Sequence, residues 1–227
     1  MKYVIEPAKT CGVDVVGTDA KFPVRRIYCV GRNFADHAIE MGHDPDREPP
    51  FFFQKNPQNA DNSGVFPYPD HSDDVHFEIE LVVALKSGGR NIAFDDALSH
   101  VFGYGVGLDM TRRDLQGQMK KMGRPWEIGK AFEHSAPMSA FVPASDIGHP
   151  NSGEISLWVN GDQRQIGDLN QMIWKLPEMI QYLSQYFEIG AGDLIMCGTP
   201  AGVGAIKRGD KMFGLIAGVG ELSVDVI

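Results

Sequence analysis

The chain has 227 residues, 43% hydrophobic and 22% charged, enough for one sizeable core with an ordinary globular balance. Its formal charge of −9, with no Lys/Arg stripe to offset it, argues against a nucleic-acid partner, and no run reaches the roughly 20 apolar residues of a membrane-spanning helix. Three scattered cysteines (Cys11, Cys29 and Cys197) argue against a disulfide framework, and with an opening, MKYVIEPAKT, that lacks a signal-peptide apolar stretch they predict a cytoplasmic protein.

The 26 glycines and 14 prolines favour strands and turns over a helical bundle. The first 24 residues read as a short N-terminal arm and residues 25–227 as one mixed, β-dominated α+β domain. RRIYCVGRNF (25–34) predicts a strand ending in a glycine turn, followed by a short helix, FADHAIEMG, that stops at Gly42. PFFFQK (50–55) predicts another strand, and residues 56–74, dense in Pro, Asn, Asp and Gly, a long loop. Residues 75–86 then read as one buried strand and FDDALSHV as a short helical piece. YGVGLDM (104–110) is a strand whose glycines admit close backbone approach, and it delivers Asp109 at its end. TRRDLQGQMKKMG (111–123) reads as a helix stopped by Gly123, and ISLWVNGDQRQIGDL (155–169) as a hairpin turning at Asn160-Gly161. LPEMIQYLSQYF (176–187) predicts a helix with Pro177 in its first position, and the C-terminal stretch alternates short strands with glycine turns.

In a strand, residues i and i+2 share a face, so in HFEIELVVAL (76–85) Glu78 and Glu80 project together, with His76 on their side. Side-by-side carboxylates repel, and an all-oxygen donor set invites a hard cation such as Mg²⁺. The plainer alternative puts both glutamates in solvent on a half-exposed strand. Asp109, a third acid at the end of another strand, tilts the reading toward a metal.

His37 and Glu40 lie three apart on the short helix and share a face. That spacing suits a carboxylate-oriented general base, and equally an ordinary surface pair. Lys130, in EIGKAFEHS, could stabilise an anion or simply be solvated. CGTPAGVG (197–204) offers a hydroxyl and backbone N–H groups that could cradle a carboxylate, or only a tight turn. GYGVGLD lacks the spacing of a dinucleotide fingerprint, and GAIKRGDK (204–211) carries Asp210 where a P-loop needs Lys.

Six blocks stand in the order of a known family: YCVGRNFADHAIEMG, HFEIELVVAL, GYGVGLDMTRRDLQ, RPWEIGKAFEHSAPMSAFVP, VNGDQRQIGD and GDLIMCGTPAGVG. From about residue 25 to its end the chain resembles the fumarylacetoacetate hydrolase superfamily. The resemblance implies a β-roll of the fumarylacetoacetate hydrolase C-terminal domain type, usually a homodimer, with Mg²⁺ or Mn²⁺ held by Glu78, Glu80 and Asp109. It implies further that His37 and Glu40 form a water-activating dyad on a lid that orders with substrate, and that Lys130 assists the developing charge. Arg113, Gln116 and Thr199 match positions lining the family's substrate pocket. The wording FFFQK…LDMTRRDLQ…KKMGRPWEIGK is most similar to the bacterial fumarylpyruvate hydrolases of aromatic (gentisate) degradation, which split 3-fumarylpyruvate into fumarate and pyruvate. Such a substrate, a small dicarboxylate keto acid, needs a cation for its distal carboxylate, and Arg32, Arg124 and Lys55 are the candidates. KNPQN stands where many members read Lys-Pro after the phenylalanine strand, a departure expected to reshape the distal pocket.

Two other functions compete with C–C hydrolysis. Oxaloacetate decarboxylation, or isomerisation of a hydroxydienedioate, needs the metal on the same scaffold but no water attack, so the His37–Glu40 dyad favours hydrolysis. A non-catalytic metal-binding β-protein would leave that dyad and Lys130 without a joint explanation.

Overall fold

In the computed structural model, which describes residues 2–35 and 48–227, two large sheets carry most of the chain. The strands are β1 (Gly12–Val15), β2 (Thr18–Pro23), β3 (Arg26–Gly31), β4 (Phe51–Lys55), β5 (Ala60–Asp61), β6 (Val65–Phe66), β7 (Val75–Phe77), β8 (Ile79–Leu85) and β9 (Val101–Leu108). They continue with β10 (Thr111–Arg112), β11 (Ala136–Pro137), β12 (Val142–Pro143), β13 (Glu154–Val159), β14 (Asp162–Asp168), β15 (Asp193–Met196), β16 (Gly204–Ile206), β17 (Lys211–Ile216) and β18 (Gly220–Val226). The central sheet has the order β12-β9-β8-β15-β3-β4 and the second β14-β13-β17-β18-β6, while a small sheet has the order β10-β7-β16. Three helices matter below: α1 (Arg113–Lys121), α2 (Glu127–Lys130) and α3 (Leu176–Tyr186). No helix of the described residues is long and apolar enough to cross a membrane.

β8 is buried at every position, which explains why its sequence is apolar everywhere but at Glu80 instead of alternating. Ile79, Leu81, Val83 and Leu85 point into a core shared with Leu157, Ile216 and Met179. Val82 and Ala84 point the other way, into a second cluster with Ile27, Cys29, Phe141 and Met196. The β1–β2 hairpin covers that second face through Val13 and Phe22. Glu80 has the parity of Val82 and Ala84, so it leaves the sheet on this second face.

The structure departs from the sequence expectations in four places. The single strand expected over 75–86 is two, because the chain changes sheets at Glu78: β7 pairs with β10 and β16, β8 with β9 and β15. Hydropathy does not register the switch, since Phe77 and Ile79 on either side of it are both fully buried. Asp109 marks the matching switch from β9 to β10, and its backbone N–H donates to the Glu78 carbonyl at 2.8 Å. The loop expected over 56–74 contains a 3₁₀ turn, Pro57–Asn59, and the short strands β5 and β6. α1 begins at Arg113 because Thr111 and Arg112 pair with His76 and Val75. Pro177 is the second helical residue of α3, after Leu176. The hairpin turn is as expected, with Asn160 at φ 55° and Gly161 at φ 88°. The short helix expected from Phe34 lies almost wholly outside the described residues.

Glycines in β9 do admit a close neighbour: a Cβ on Gly103 would lie 2.2 Å from the carbonyl oxygen of Val142 in β12. The obstacle is backbone and cannot rotate away. Gly103→Ala is therefore expected to lower the unfolding free energy by about 1–3 kcal/mol, read from a urea titration, and a loss within error would show that β12 can shift without cost.

Candidate active site

The two sheet switches bring three acids together. Glu78 is the switch residue between β7 and β8, Glu80 lies two residues on, and Asp109 is the first residue after β9. Ile79 pairs with Leu108 and Glu80 with Gly107, so Asp109 comes across the β8–β9 ladder to join both glutamates. One carboxylate oxygen from each lies within 4.8 Å of the others. The residues are only 5%, 2% and 1% exposed, which overturns the solvent-facing alternative.

Carboxylates packed this closely away from water repel strongly unless cations and donors stand among them. Lys130 Nζ, at the end of α2, donates to Glu78 Oε2 at 2.9 Å and to Asp109 Oδ2 at 2.6 Å. Arg113, the first residue of α1, donates from Nη2 to Glu78 Oε1. Lys55 Nζ stands 2.8 Å from Asp109 Oδ1, an ionic contact outside hydrogen-bond geometry. The same ammonium donates to the carbonyls of Met110 and Lys130 and to Ser135 Oγ. Glu80 Oε2 accepts the N–H of Gly198 at 2.8 Å. Burial, followed by the charges of Asp109 and Glu78, pushes the Glu80 carboxyl well above the usual carboxylate range. Burial works against the Lys130 ammonium, but Asp109 and Glu78 outweigh it and hold its pKa above the ordinary value.

The carboxylates open onto a cleft that Arg32, Arg113, Gln116, Lys130 and Thr199 also line. Gln116 comes from the α1 face that carries Arg113, one turn further along. Thr199 Oγ1 accepts from Gln165 Nε2 at 2.8 Å, so its own proton is left to donate elsewhere. One N–H of CGTPAGVG, that of Gly198, does meet a carboxylate, but it is the protein's own Glu80. Gly198 holds that position at φ 91°, and a Cβ there would meet Asn33 Cβ at 2.7 Å. His76 pairs with Asp74 at 2.8 Å and, across 3.5 Å, accepts from Arg113 Nε, so it steadies Arg113 and stays out of the acid cluster. His37 and Glu40 lie outside the described residues.

Two of the three cations considered for a distal carboxylate stand elsewhere. Lys55 is buried on Asp109, and Arg124 is exposed and off the cleft lining. The departure at KNPQN forms a 3₁₀ turn, also off the lining. Among the cleft residues that sequence reading missed are Phe51, Phe53, Trp126 and Lys120. The phenylalanines were within reach of strand periodicity, because Phe51, Phe53 and Lys55 share the β4 face turned to the site while Phe52 stacks on Tyr182 on the other. It also missed Gln165, fully buried, which accepts from the Ile79 N–H at 3.0 Å and donates to Thr199 and Pro200. That side chain ties β14 to the acid-bearing strand and to the 198–200 turn.

Residues 26–227 match the family described as Fumarylacetoacetate (FAA) hydrolase C-terminal. A fumarylpyruvate hydrolase of Pseudomonas aeruginosa, solved in complex with Mn²⁺ and pyruvate, superposes with a TM-score of 0.97 at 51% identity, covering 100% of this chain and 99% of that one. A fumarylpyruvate hydrolase of a Ralstonia species is 41% identical over 82% of this chain and 98% of its own. An oxaloacetate tautomerase of Escherichia coli is 41% identical over 84% of this chain and 88% of its own.

Replacing Lys55 by Met removes a buried cation and leaves Asp109 to Lys130 alone. We expect a loss of about 3–5 kcal/mol of unfolding free energy in a urea titration. A loss under about 1 kcal/mol would show that Lys130 alone compensates Asp109.

Proposed function

The chain belongs to the fumarylacetoacetate hydrolase family, and from that premise we propose that it is a metal-dependent hydrolase of the carbon–carbon bond of an acylpyruvate, with 3-fumarylpyruvate as substrate and fumarate and pyruvate as products. The observation that carries this reading is the buried Glu78–Glu80–Asp109 cluster opening onto a cleft with Lys130, Arg113 and Gln116. The full-length likeness to the Pseudomonas aeruginosa fumarylpyruvate hydrolase supports the substrate.

The donor set fits a divalent cation. Three buried carboxylates supply oxygen only, within 4.8 Å of one another, which is hard-ion chemistry. Glu78, Glu80 and Asp109 would hold Mg²⁺ or Mn²⁺, and the presence of Mn²⁺ in the Pseudomonas relative supports such an ion. Such an ion would supply Lewis-acid polarisation of the substrate's keto oxygen.

The remaining chemistry falls to side chains. Arg113 and Gln116, with the donor proton of Thr199, bind the carboxylate of the pyruvyl half. Phe51, Phe53 and Trp126 keep water from the cleft and so strengthen each charge interaction inside it. His37, oriented by Glu40, takes a proton from water as the oxygen attacks the carbonyl carbon beside the fumaryl double bond. The bond from that carbon to the pyruvyl methylene breaks, and its electron pair passes to the pyruvyl half as an enolate, whose charge Lys130 meets. The proton taken from water passes to the methylene carbon and gives pyruvate, and fumarate departs with the oxygen from water. The homodimer and the cytoplasmic setting expected from the sequence belong to the same proposal.

A second reading has one observation in its favour, the likeness to the Escherichia coli oxaloacetate tautomerase. Keto–enol exchange of oxaloacetate would use the same cation and lysine without attack by water.

Loss of the fumarylpyruvate enol absorbance is expected with Mg²⁺ or Mn²⁺ and not with EDTA, yielding fumarate and pyruvate in equal amounts. Metal-loaded protein that leaves fumarylpyruvate intact but interconverts the oxaloacetate tautomers would give the second reading instead. His37→Ala should lower kcat about 10²–10⁴-fold with metal affinity retained in calorimetry. Asp109→Asn should weaken the metal at least about 10-fold, and normal binding by that variant would remove Asp109 from the ligand set.

A further inference from the structure

Gln165 stands behind the cleft, outside its lining, in a strand whose adjacent positions Arg164 and Ile166 are exposed. It is fully buried, and its partners decide which way round its amide lies. The Ile79 N–H can only donate, and it meets Oε1 at 3.0 Å. The Pro200 carbonyl can only accept, and it meets Nε2 at 2.8 Å. Both partners demand the same orientation, so the remaining N–H of the amide is committed to Thr199 Oγ1, 2.8 Å away. A hydroxyl that accepts this bond cannot return its own proton along the same line, and the proton turns away from Gln165. Among the described residues no acceptor takes that proton, while Thr199 lines the cleft.

The hydroxyl is also fixed in place. A Cβ on Gly202 would lie 2.1 Å from the Arg164 carbonyl oxygen, so the turn that carries Thr199 rests directly on the backbone of β14. Through the Ile79 N–H, Gln165 hangs from the residue between the two glutamates, which refers the position of the hydroxyl to the strand that bears the acids. The same rule orients a second amide. Arg113 can only donate, and its Nη1 meets Gln116 Oε1 at 3.4 Å, so the NH₂ end of Gln116 is the one turned away from Arg113. Guanidinium, amide N–H and hydroxyl proton then form a set of donors. A carboxylate, which only accepts, satisfies such a set, whereas a group bringing its own N–H would set donor against donor.

We propose that Gln165 is a positioning residue for substrate binding: by fixing the Thr199 hydroxyl as a donor, it commits the subsite of Arg113, Gln116 and Thr199 to a carboxylate. This rests on the reading of the protein as an enzyme of 2-keto acids, in its hydrolase or its tautomerase form, and adds a residue that touches no substrate.

The experiment is a double-mutant cycle read by calorimetric titration of pyruvate into protein saturated with Mn²⁺. Thr199→Val should weaken pyruvate about 10- to 100-fold and Gln165→Met about 3- to 10-fold, both with wild-type affinity for Mn²⁺. The double variant should bind pyruvate no worse than Thr199→Val, because Gln165 acts through that hydroxyl. Gln165→Met also lowers the thermal midpoint, since Ile79 and Pro200 lose a partner, but a purely structural role would make the two losses multiply. Multiplied losses overturn the proposal, as does wild-type pyruvate affinity in Gln165→Met or a loss confined to Mn²⁺. Should Gln165→Met fail to fold, neutron diffraction from deuterium-exchanged wild-type crystals decides. A Thr199 deuteron directed into the cleft sustains the proposal, and one directed at Gln165 overturns it. Were the wild type to bind no pyruvate, the 2-keto acid reading would fall, and the deuteron positions would still decide whether Gln165 fixes the hydroxyl.

Discussion

Three carboxylates held within 4.8 Å of one another, away from water, must be surrounded by positive charge, and much of the neighbouring structure answers to that need. Lys55 comes from β4, Arg113 from α1 and Lys130 from α2, and each places its charge on one or two of the acids. Glu80 takes a backbone N–H from Gly198, where a Cβ would collide with Asn33. The fold delivers these groups from four separate segments because the acids sit where the chain passes from one sheet to another. A strand that leaves its sheet frees its side chain from cross-strand neighbours, and two such departures side by side, joined by the Asp109 N–H to the Glu78 carbonyl, create a polar chamber between apolar layers.

The sequence displays this centre only in part. The period of two in strands makes Glu78 and Glu80 neighbours without further information, and the glycine-rich run before Asp109 announces a second closely packed strand. The sheet switch at Glu78 is not legible, because the residues flanking it are as apolar as those of an uninterrupted strand. Gln165 is hidden for a different reason. Its neighbours Arg164 and Ile166 are exposed, so the alternation is that of an ordinary hairpin, and only the arrival of the 198–200 turn gives its amide a role. Lys120 was within reach: positions 113, 116 and 120 fall on one helix face. What could not be seen was that this face turns toward Phe51 and Trp126. Arg32, at φ 57°, is less legible still, since a left-handed residue after a strand has no reliable signature when it is not glycine or asparagine.

The two ends of the cleft are built from material of different tolerance. The acids hang from β8 and β9, which are packed on both faces, so a change there disturbs two cores and the charge balance at once. The aromatic residues of the cleft and the cations Arg32 and Lys120 come from the outermost strand of the central sheet, the residue following a strand, and the last turn of a helix. Phe51, Phe53 and Trp126 are only partly buried, and Lys120 has a flexible stem over a half-exposed surface.

That asymmetry makes the protein modular in a functional sense. Mutational drift at the periphery of β4 and at the C-terminal turn of α1 can lengthen, shorten or neutralise the far recess one residue at a time, each step costing little folding stability. The acidic chamber, meanwhile, is anchored by the double sheet crossing and constrained to remain as it is. A lineage with this architecture would diversify the molecules it accepts much faster than the bond-breaking chemistry it performs on them.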